Sequence, residues 1–379
     1  FMYTAGVNRF IFHRYCHQPW MNLVPGMTMG PHGFHWERTS TWFDESPTWM
    51  RYLTRCQYML QEGLYSADVL CYTGEGAPKS LPGGPAVPAG FGYSAISTDA
   101  LLTRVEVKGG RLVLPDGMSY RVLTLPDRQT ITPETLSKIR DLVAQGAVLV
   151  GPRPLRSPSL DGYPECDLQV QALADEVWGD CDGKTVTEHA LGKGRVVWGK
   201  PLAEVLAGMG VAPDFEYSGR RENAAICHIH RTVGEAEVYF LSNQSPRAEF
   251  VDCTFRVSGK LPELWSPETG ATETAPVYVE KDGRTAVSLR LDPAGSVFVV
   301  FRAPAVDGES FTGIDRDGAS ALTLQGGPKH TLTIDRAIYG VLTSSVPDCS
   351  DLTEKVQAAV RDGRVSVPAT NAFAGTDTR

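Results

Sequence analysis

No run of about 20 apolar residues, the length a membrane helix requires, occurs in the sequence, and a helical membrane protein is therefore not expected. A basic excess is missing too: 36 Lys and Arg face 44 Asp and Glu, for a net charge of -8. With no cationic stripe to neutralise phosphates, neither nucleic acid nor an anionic membrane is an expected partner. The eight cysteines (16, 56, 71, 166, 181, 227, 253 and 349) contain no Cys-x-x-Cys pair, which leaves a zinc ribbon or a thioredoxin-like motif unsupported. Several sit in apolar stretches such as Val69-Leu70-Cys71-Tyr72, so buried thiols are expected rather than a disulfide framework. Internal repeats and low-complexity tracts are absent. So are an initiating methionine and a signal peptide; Phe1 to Arg9 reads as the lead-in to a strand, and the expectation is that the chain begins inside a domain.

What remains is an ordinary globular composition, 42% hydrophobic and 21% charged over 379 residues, enough for two to four domains with their own cores. The first 65 residues stand apart, with four of the seven tryptophans and four of the eight histidines spaced by Pro and Gly. Arg9 to His13 reads as a short buried strand that empties into an irregular stretch from Tyr15 to Glu45. A structureless loop of about thirty residues is uncommon in a compact domain and usually functional. A helix follows, with Ser46 as its cap, Pro47 in its first turn and Gly63 at its end. Strand, long loop and helix together suggest one unit of a (β/α) barrel, whose active sites lie on loops that follow strands.

From 66 to 210 strands alternate with helices: Ala67 to Tyr72, Tyr120 to Leu125, Ala147 to Val150 and Arg195 to Gly199 against helices Pro133 to Gln145 and Leu168 to Trp178. This predicts a doubly wound, parallel α/β domain, with a Gly/Pro-rich loop from Gly74 to Gly92. From 211 to 305 strands such as Glu237 to Leu241, Glu249 to Val257, Ala286 to Leu291 and Ser296 to Phe301 predict a β-sandwich. Residues 306 to 379 read as a small β-rich α+β accessory domain, incomplete, with strands at Thr331 to Ile334 and Val365 to Val367 and one helix started by Asp351-x-x-Glu354.

Glu37 is the candidate with the clearest chemistry. Flanked by Trp36 and Arg38, it would be partly desolvated by an indole and kept ionised by a guanidinium, the environment of a carboxylate that activates water. A plain surface pair of Glu37 with Arg38 is the alternative. His13, His17 and Gln18 can hydrogen-bond sugar hydroxyls; they could equally be structural, and a metal role is disfavoured because Pro19 prevents the helix that would put both histidines on one face. Trp20, Trp36 and Trp42 can stack on pyranose rings or simply pack, while Trp49 reads as helix core. Asp44 and Glu45 read as favourable charge at a helix start. His228 and His230 alternate along a strand with no third ligand evident, and Gly192-Lys193-Gly194-Arg195 reads as a turn.

The segments Gly6 to Trp20, Pro25-Gly26-Met27-Thr28-Met29-Gly30-Pro31 and His35-Trp36-Glu37-Arg38-Thr39 resemble glycoside hydrolase family 106, the inverting α-L-rhamnosidases. Similarity continues through Tyr52 to Tyr58, Ala67-Asp68-Val69, Gly74-Glu75-Gly76-Ala77-Pro78, Val238 to Gln244 and Pro262 to Pro267. The resemblance implies the C-terminal half of such an enzyme, removing terminal α-L-rhamnose from plant or bacterial polysaccharides. Glu37 matches the catalytic base by that resemblance, and His13, His17, Gln18, Trp36, Arg38 and Trp42, read from their own side-chain chemistry, are the candidate sugar contacts around it. The resemblance further implies a general acid and calcium ligands on earlier barrel strands, hence an N-terminal remainder of the same polypeptide as partner, and a periplasmic or secreted location. Residues 66 to 210 are similar to the amidotransferase-like domain beside glycosidase barrels, but Gly151-Pro152-Arg153 stands where a nucleophilic Cys elbow is needed, so that activity is expected to be lost.

Overall fold

The computed structural model describes residues 1–13, 15–28, 30–31, 36–76, 86–219, 221–275, 278–305, 321–325, 334, 337–341 and 348–368. Predicted features at Arg14, His32, His35, 77–85 and 331–333, and the tail beyond 368, lie outside that set. The chain forms two compact units: one holds Phe1–Glu62, Tyr217–Ile229 and the described residues of Val233–Arg379; the other holds Gly63–Glu216 with His230–Thr232. Mixed α/β structure with many sheets results.

In the Gly63–Glu216 unit, a six-stranded sheet runs in the order Tyr93–Ile96, Val69–Tyr72, Val122–Thr124, Val148–Val150, Gly194–Val197, Glu188–Leu191. Every neighbouring pair is parallel except the last. Val69–Tyr72 is an unbroken apolar run because both of its faces are covered. Leu70 and Tyr72 join a core with Leu136, Ile139, Leu142, Val143, Val170 and Trp178, from helices Pro133–Gln145 and Glu165–Trp178. Val69 and Cys71 face the opposite way, onto Leu202, Val205 and Leu206 of the helix Leu202–Gly208. Helices on both faces of a mainly parallel sheet is what the alternating pattern predicted. The helix Pro133–Gln145 has the expected bounds: Thr132 accepts from the Thr135 amide, and Gly146 ends it at φ 129°. Elements not anticipated include the strands Tyr93–Ile96 and Glu188–Leu191, the helices Thr98–Arg104 and Leu202–Gly208, and the small sheet Glu106–Lys108, Arg111–Val113, Ser119–Tyr120.

The other unit contains a β-sandwich. One sheet carries Ala236–Asn243, Ser296–Pro304, Lys260–Trp265 and Thr272–Thr274; the other carries Glu249–Phe255, Arg284–Leu291 and Tyr278–Lys281. Alternation along Ala236–Asn243 sends Tyr239 and Phe240 to opposite faces. Tyr239 meets Phe255 of the second sheet at 4.8 Å between ring centroids, and Phe255 meets Phe301 at 5.4 Å. Phe240 stacks beside Phe298 at 4.8 Å and takes the edge of Tyr3 at 5.8 Å, so the outer face is covered by the N-terminal segment. The helix Ser46–Gln61 is fastened to the same sandwich by Tyr52, whose hydroxyl lies 2.9 Å from Ser296 Oγ, and by Arg55, which donates to the carbonyls of Pro267 (3.0 Å) and Glu268 (2.7 Å). Near the C-terminus, Ala321–Gln325 pairs with Arg364–Pro368, and Leu352, Val356, Val365 and Val367 form a small core around the helix Thr353–Ala358.

Several local expectations are corrected. Arg9 to His13 is not a strand: no partner strand lies beside it among the described residues, Ile11 is 91% exposed, and the Phe10 amide donates to Gln57 Oε1 instead. Ser46 does not cap its helix, because the 3-10 turn Phe43–Glu45 feeds directly into it and leaves Ser46 buried inside. Asp351 is likewise the end of a strand, Asp348–Asp351, and not the cap of the following helix. Among the described residues the cysteines are free thiols, five of them buried, as the apolar context predicted.

Candidate active site

The loop after His13 is held by side chains in place of a sheet. Gln18, nearly buried, uses its amide as a strand edge would: Nε2 donates to the Met27 carbonyl (2.6 Å) and Oε1 accepts from the Met27 amide (2.8 Å). The neighbouring Gly26 amide donates to Thr39 Oγ1 at 2.9 Å. A Cβ at Gly26 would overlap both Gln18 Oε1 and Thr39 Oγ1, so no other residue fits there without displacing them. This small polar knot ties residues 18, 26, 27 and 39 together, and Glu37 hangs from it.

Glu37 is 3% exposed. Its carboxylate accepts from the Thr39 amide (2.7 Å), from the Thr39 hydroxyl (2.6 and 2.7 Å to the two oxygens) and from the Ser40 hydroxyl (3.1 Å). Burial pushes the Glu37 carboxyl up; the Thr39 hydroxyl and amide, the Ser40 hydroxyl and the Arg38 charge outweigh it and hold the group below the ordinary glutamate value. The negative form is thus secured mainly by its own turn, and the guanidinium contributes least. Three donors leave about one of a carboxylate's four lone-pair positions for anything else.

Arg38 turns away from Glu37. Its Nη2 donates to the Gln18 carbonyl (3.0 Å) and its Nε approaches Met21 Sδ (2.9 Å), while its backbone amide donates to the Tyr15 hydroxyl (3.2 Å). Trp36 packs among Phe43 (5.8 Å), Phe12 (6.3 Å) and Tyr15 (6.3 Å), in an aromatic cluster that continues from Phe12 to Trp49 (5.5 Å) and on to Trp42 (6.3 Å). Trp42 and Trp20 are exposed, at 38% and 57%. His13 and His17 are exposed and stand outside the knot. The structure therefore gathers Gln18, Trp36, Glu37, Arg38 and Trp42 into one loop system and leaves the two histidines at its margin. Sequence reasoning passed over Thr39, Ser40 and Gly26, although Thr39-Ser40-Thr41 is a run of short hydroxyl residues of the kind that marks turns.

Elsewhere, His230 is not a surface ligand: its Nδ1 lies 2.9 Å from Asp214 Oδ2, both side chains nearly buried. Among the described residues no three His, Cys, Asp or Glu side chains converge on a point that could hold a metal. The expected calcium has no cage among them and enters no step below.

A model of the family described as alpha-L-rhamnosidase, glycoside hydrolase family 106, matches residues 1–279. The chain belongs to that family. A Formosa agariphila protein named "Putative beta-glucuronidase" is 34% identical over 377 residues, which is 99% of this chain and 30% of that protein. The solved rhamnosidase of Novosphingobium sp. PP1Y superposes with a TM-score of 0.75 at 31% identity, over 93% of this chain and 32% of that one. This family member thus spans about a third of the length of the relatives it matches. Among the described residues no helix is long and apolar enough to cross a membrane.

Proposed function

We propose that the chain carries the general base of a glycosidase that releases terminal α-L-rhamnose from plant or bacterial polysaccharides with inversion. Supporting this reading is one observation above the rest: in a member of the rhamnosidase family, a glutamate of the irregular loop is nearly buried, yet its turn supplies three hydrogen bonds that keep it ionised. An inverting glycosidase needs a carboxylate to take a proton from water on one face of the sugar while a carboxylic acid protonates the leaving oxygen on the other. Glu37 fits the first role. Trp42 and Trp36 offer apolar faces to a pyranose ring, Arg38 fixes the loop through Gln18, and His13 and His17 lie exposed where they can reach hydroxyls. The acid is proposed to come from elsewhere in the polypeptide, as are calcium ligands, and export to the periplasm or medium would suit a polysaccharide substrate.

A second reading, the same loop serving another sugar, is favoured by the Formosa relative's name. Both are tested by assaying the full product of the reading frame on aryl α-L-rhamnoside and aryl β-glucuronide, with and without Glu37→Gln. Removing a general base should lower kcat by about 10²- to 10⁴-fold. A loss smaller than about tenfold excludes Glu37 as base. No turnover of either glycoside by the full product would leave the non-catalytic reading, a carbohydrate-binding or scaffold chain.

A further inference from the structure

We infer that the chain carries a second saccharide site apart from the Glu37 turn, in the open groove lined by Glu45, Thr48, Trp49, Tyr52 and Glu268, and that this site takes neutral pyranosides and rejects uronates. The groove encloses about 420 Å³, room for a sugar ring and its substituents. Its parts are held rigid from behind. The Tyr52 hydroxyl is tied to Ser296 Oγ (2.9 Å), and the Trp49 ring is wedged between Phe12 (5.5 Å) and Trp42 (6.3 Å). On the opposite wall, Arg55 fixes the turn that bears Glu268 by donating to the Pro267 and Glu268 carbonyls, and the Gly270 amide closes that turn on the Ser266 carbonyl at 2.8 Å. On the near wall, the 3-10 turn Phe43–Glu45 sets Glu45 at the mouth.

Aromatic rings beside acceptor-only groups suit a sugar, whose C–H face lies on the ring while its hydroxyls donate outward. Among the described residues neither the Glu45 nor the Glu268 carboxylate has a hydrogen-bond or ion-pair partner, so both keep their acceptors for a ligand. Two negative groups also repel an anionic sugar. Arg55 offsets only part of that charge: its guanidinium stays positive while Nη1 donates to backbone carbonyls, but the two carboxylates, and not Arg55, line the groove. The choice of a saccharide over an organic cation, which the same groups could hold, rests on the glycosidase reading above.

The test is calorimetric titration of the 379-residue chain with methyl α-L-rhamnopyranoside, methyl β-D-glucuronide and tetramethylammonium. It is run on the unaltered chain and on Glu37→Gln, Glu268→Gln and Thr48→Trp. Thr48 and Glu268 are exposed, so these changes leave the core intact. The neutral glycoside should bind the unaltered chain and Glu37→Gln alike, with the glucuronide at least about tenfold weaker. Glu268→Gln should narrow that gap, and Thr48→Trp, which fills the groove, should remove the groove's share of the binding and leave at most what the Glu37 loop holds. Saccharide affinity unmoved by Thr48→Trp, equal affinity for the glucuronide, preference for tetramethylammonium, or no saccharide binding each overturns the proposal. Failure of the base assignment shows only in turnover, so the two outcomes remain separate.

Discussion

Glu37→Gln offers a test that needs no substrate. In the native turn the carboxylate takes the Thr39 amide at 2.7 Å and the Thr39 and Ser40 hydroxyls at 2.6 and 3.1 Å. A glutamine keeps one oxygen, which can retain the amide; its NH2 then faces the hydroxyls, and these must rotate to accept. The Thr39 oxygen already accepts from the Gly26 amide, so its proton is left without its carboxylate. Hydrogen bonds to a charged group are worth about 1.5 to 3 kcal/mol, and exchanging such a set for a neutral one should cost the turn about 2 kcal/mol at pH 7. That is about a thirtyfold rise in the opening constant, at about 1.4 kcal/mol per factor of ten. The sign with pH follows from the lowered Glu37 pKa. A carboxyl depressed on folding stabilises above its unfolded value and loses that contribution as pH falls through the folded one. Hydrogen exchange of the peptide containing Thr39 and Ser40 should therefore be about thirtyfold faster in the variant at neutral pH, and the two proteins should converge in acid. An equal difference at both pH values, or none at neutrality, refutes the account of what holds this turn.

Two further outcomes concern the frame around that turn. Gln18→Ala removes both bonds to Met27 and should loosen the loop by about 1 to 3 kcal/mol, read as faster proteolysis between residues 18 and 39 with the sandwich unaffected. Phe301→Ala empties the interior of the sandwich between Tyr239 and Phe255 and should cost about 3 to 5 kcal/mol, read as a lower denaturant midpoint.

Legibility in the sequence followed periodicity and punctuation. Thr132-Pro133 and Gln145-Gly146 marked both ends of their helix because cap and stop are local chemistry. Val69–Tyr72 and Val148–Val150 showed as apolar runs because helices cover both sides of their sheet. The strand Tyr93–Ile96 escaped because only one of its four residues is fully buried, so it lacks the apolar signature, and it follows a Gly/Pro-rich stretch. Arg9 to His13 had the composition of a strand, but pairing is non-local, and Gln57 supplies the bond that a neighbour would have made. At the site, Glu37 and its Trp36 and Arg38 neighbours were legible as types. Their arrangement was not: the Gln18 clamp depends on a fold-back to Met27 that spacing alone does not reveal, and the Glu37 charge is held by Thr39 and Ser40 more than by Arg38.

The unit that holds the Glu37 turn is discontinuous along the chain, with the segment Gly63–Glu216 between its first piece and the next. On a ribosome adding about 5 to 20 residues per second, that intervening stretch takes of the order of ten to thirty seconds to emerge. Throughout that interval Tyr3 and Tyr52 have been synthesised while Phe240 and Ser296, their eventual partners, have not. The nascent stretch 1–62, rich in tryptophan, thus waits for its sandwich partners, and slowing translation should raise its aggregation before it harms the parallel-sheet unit.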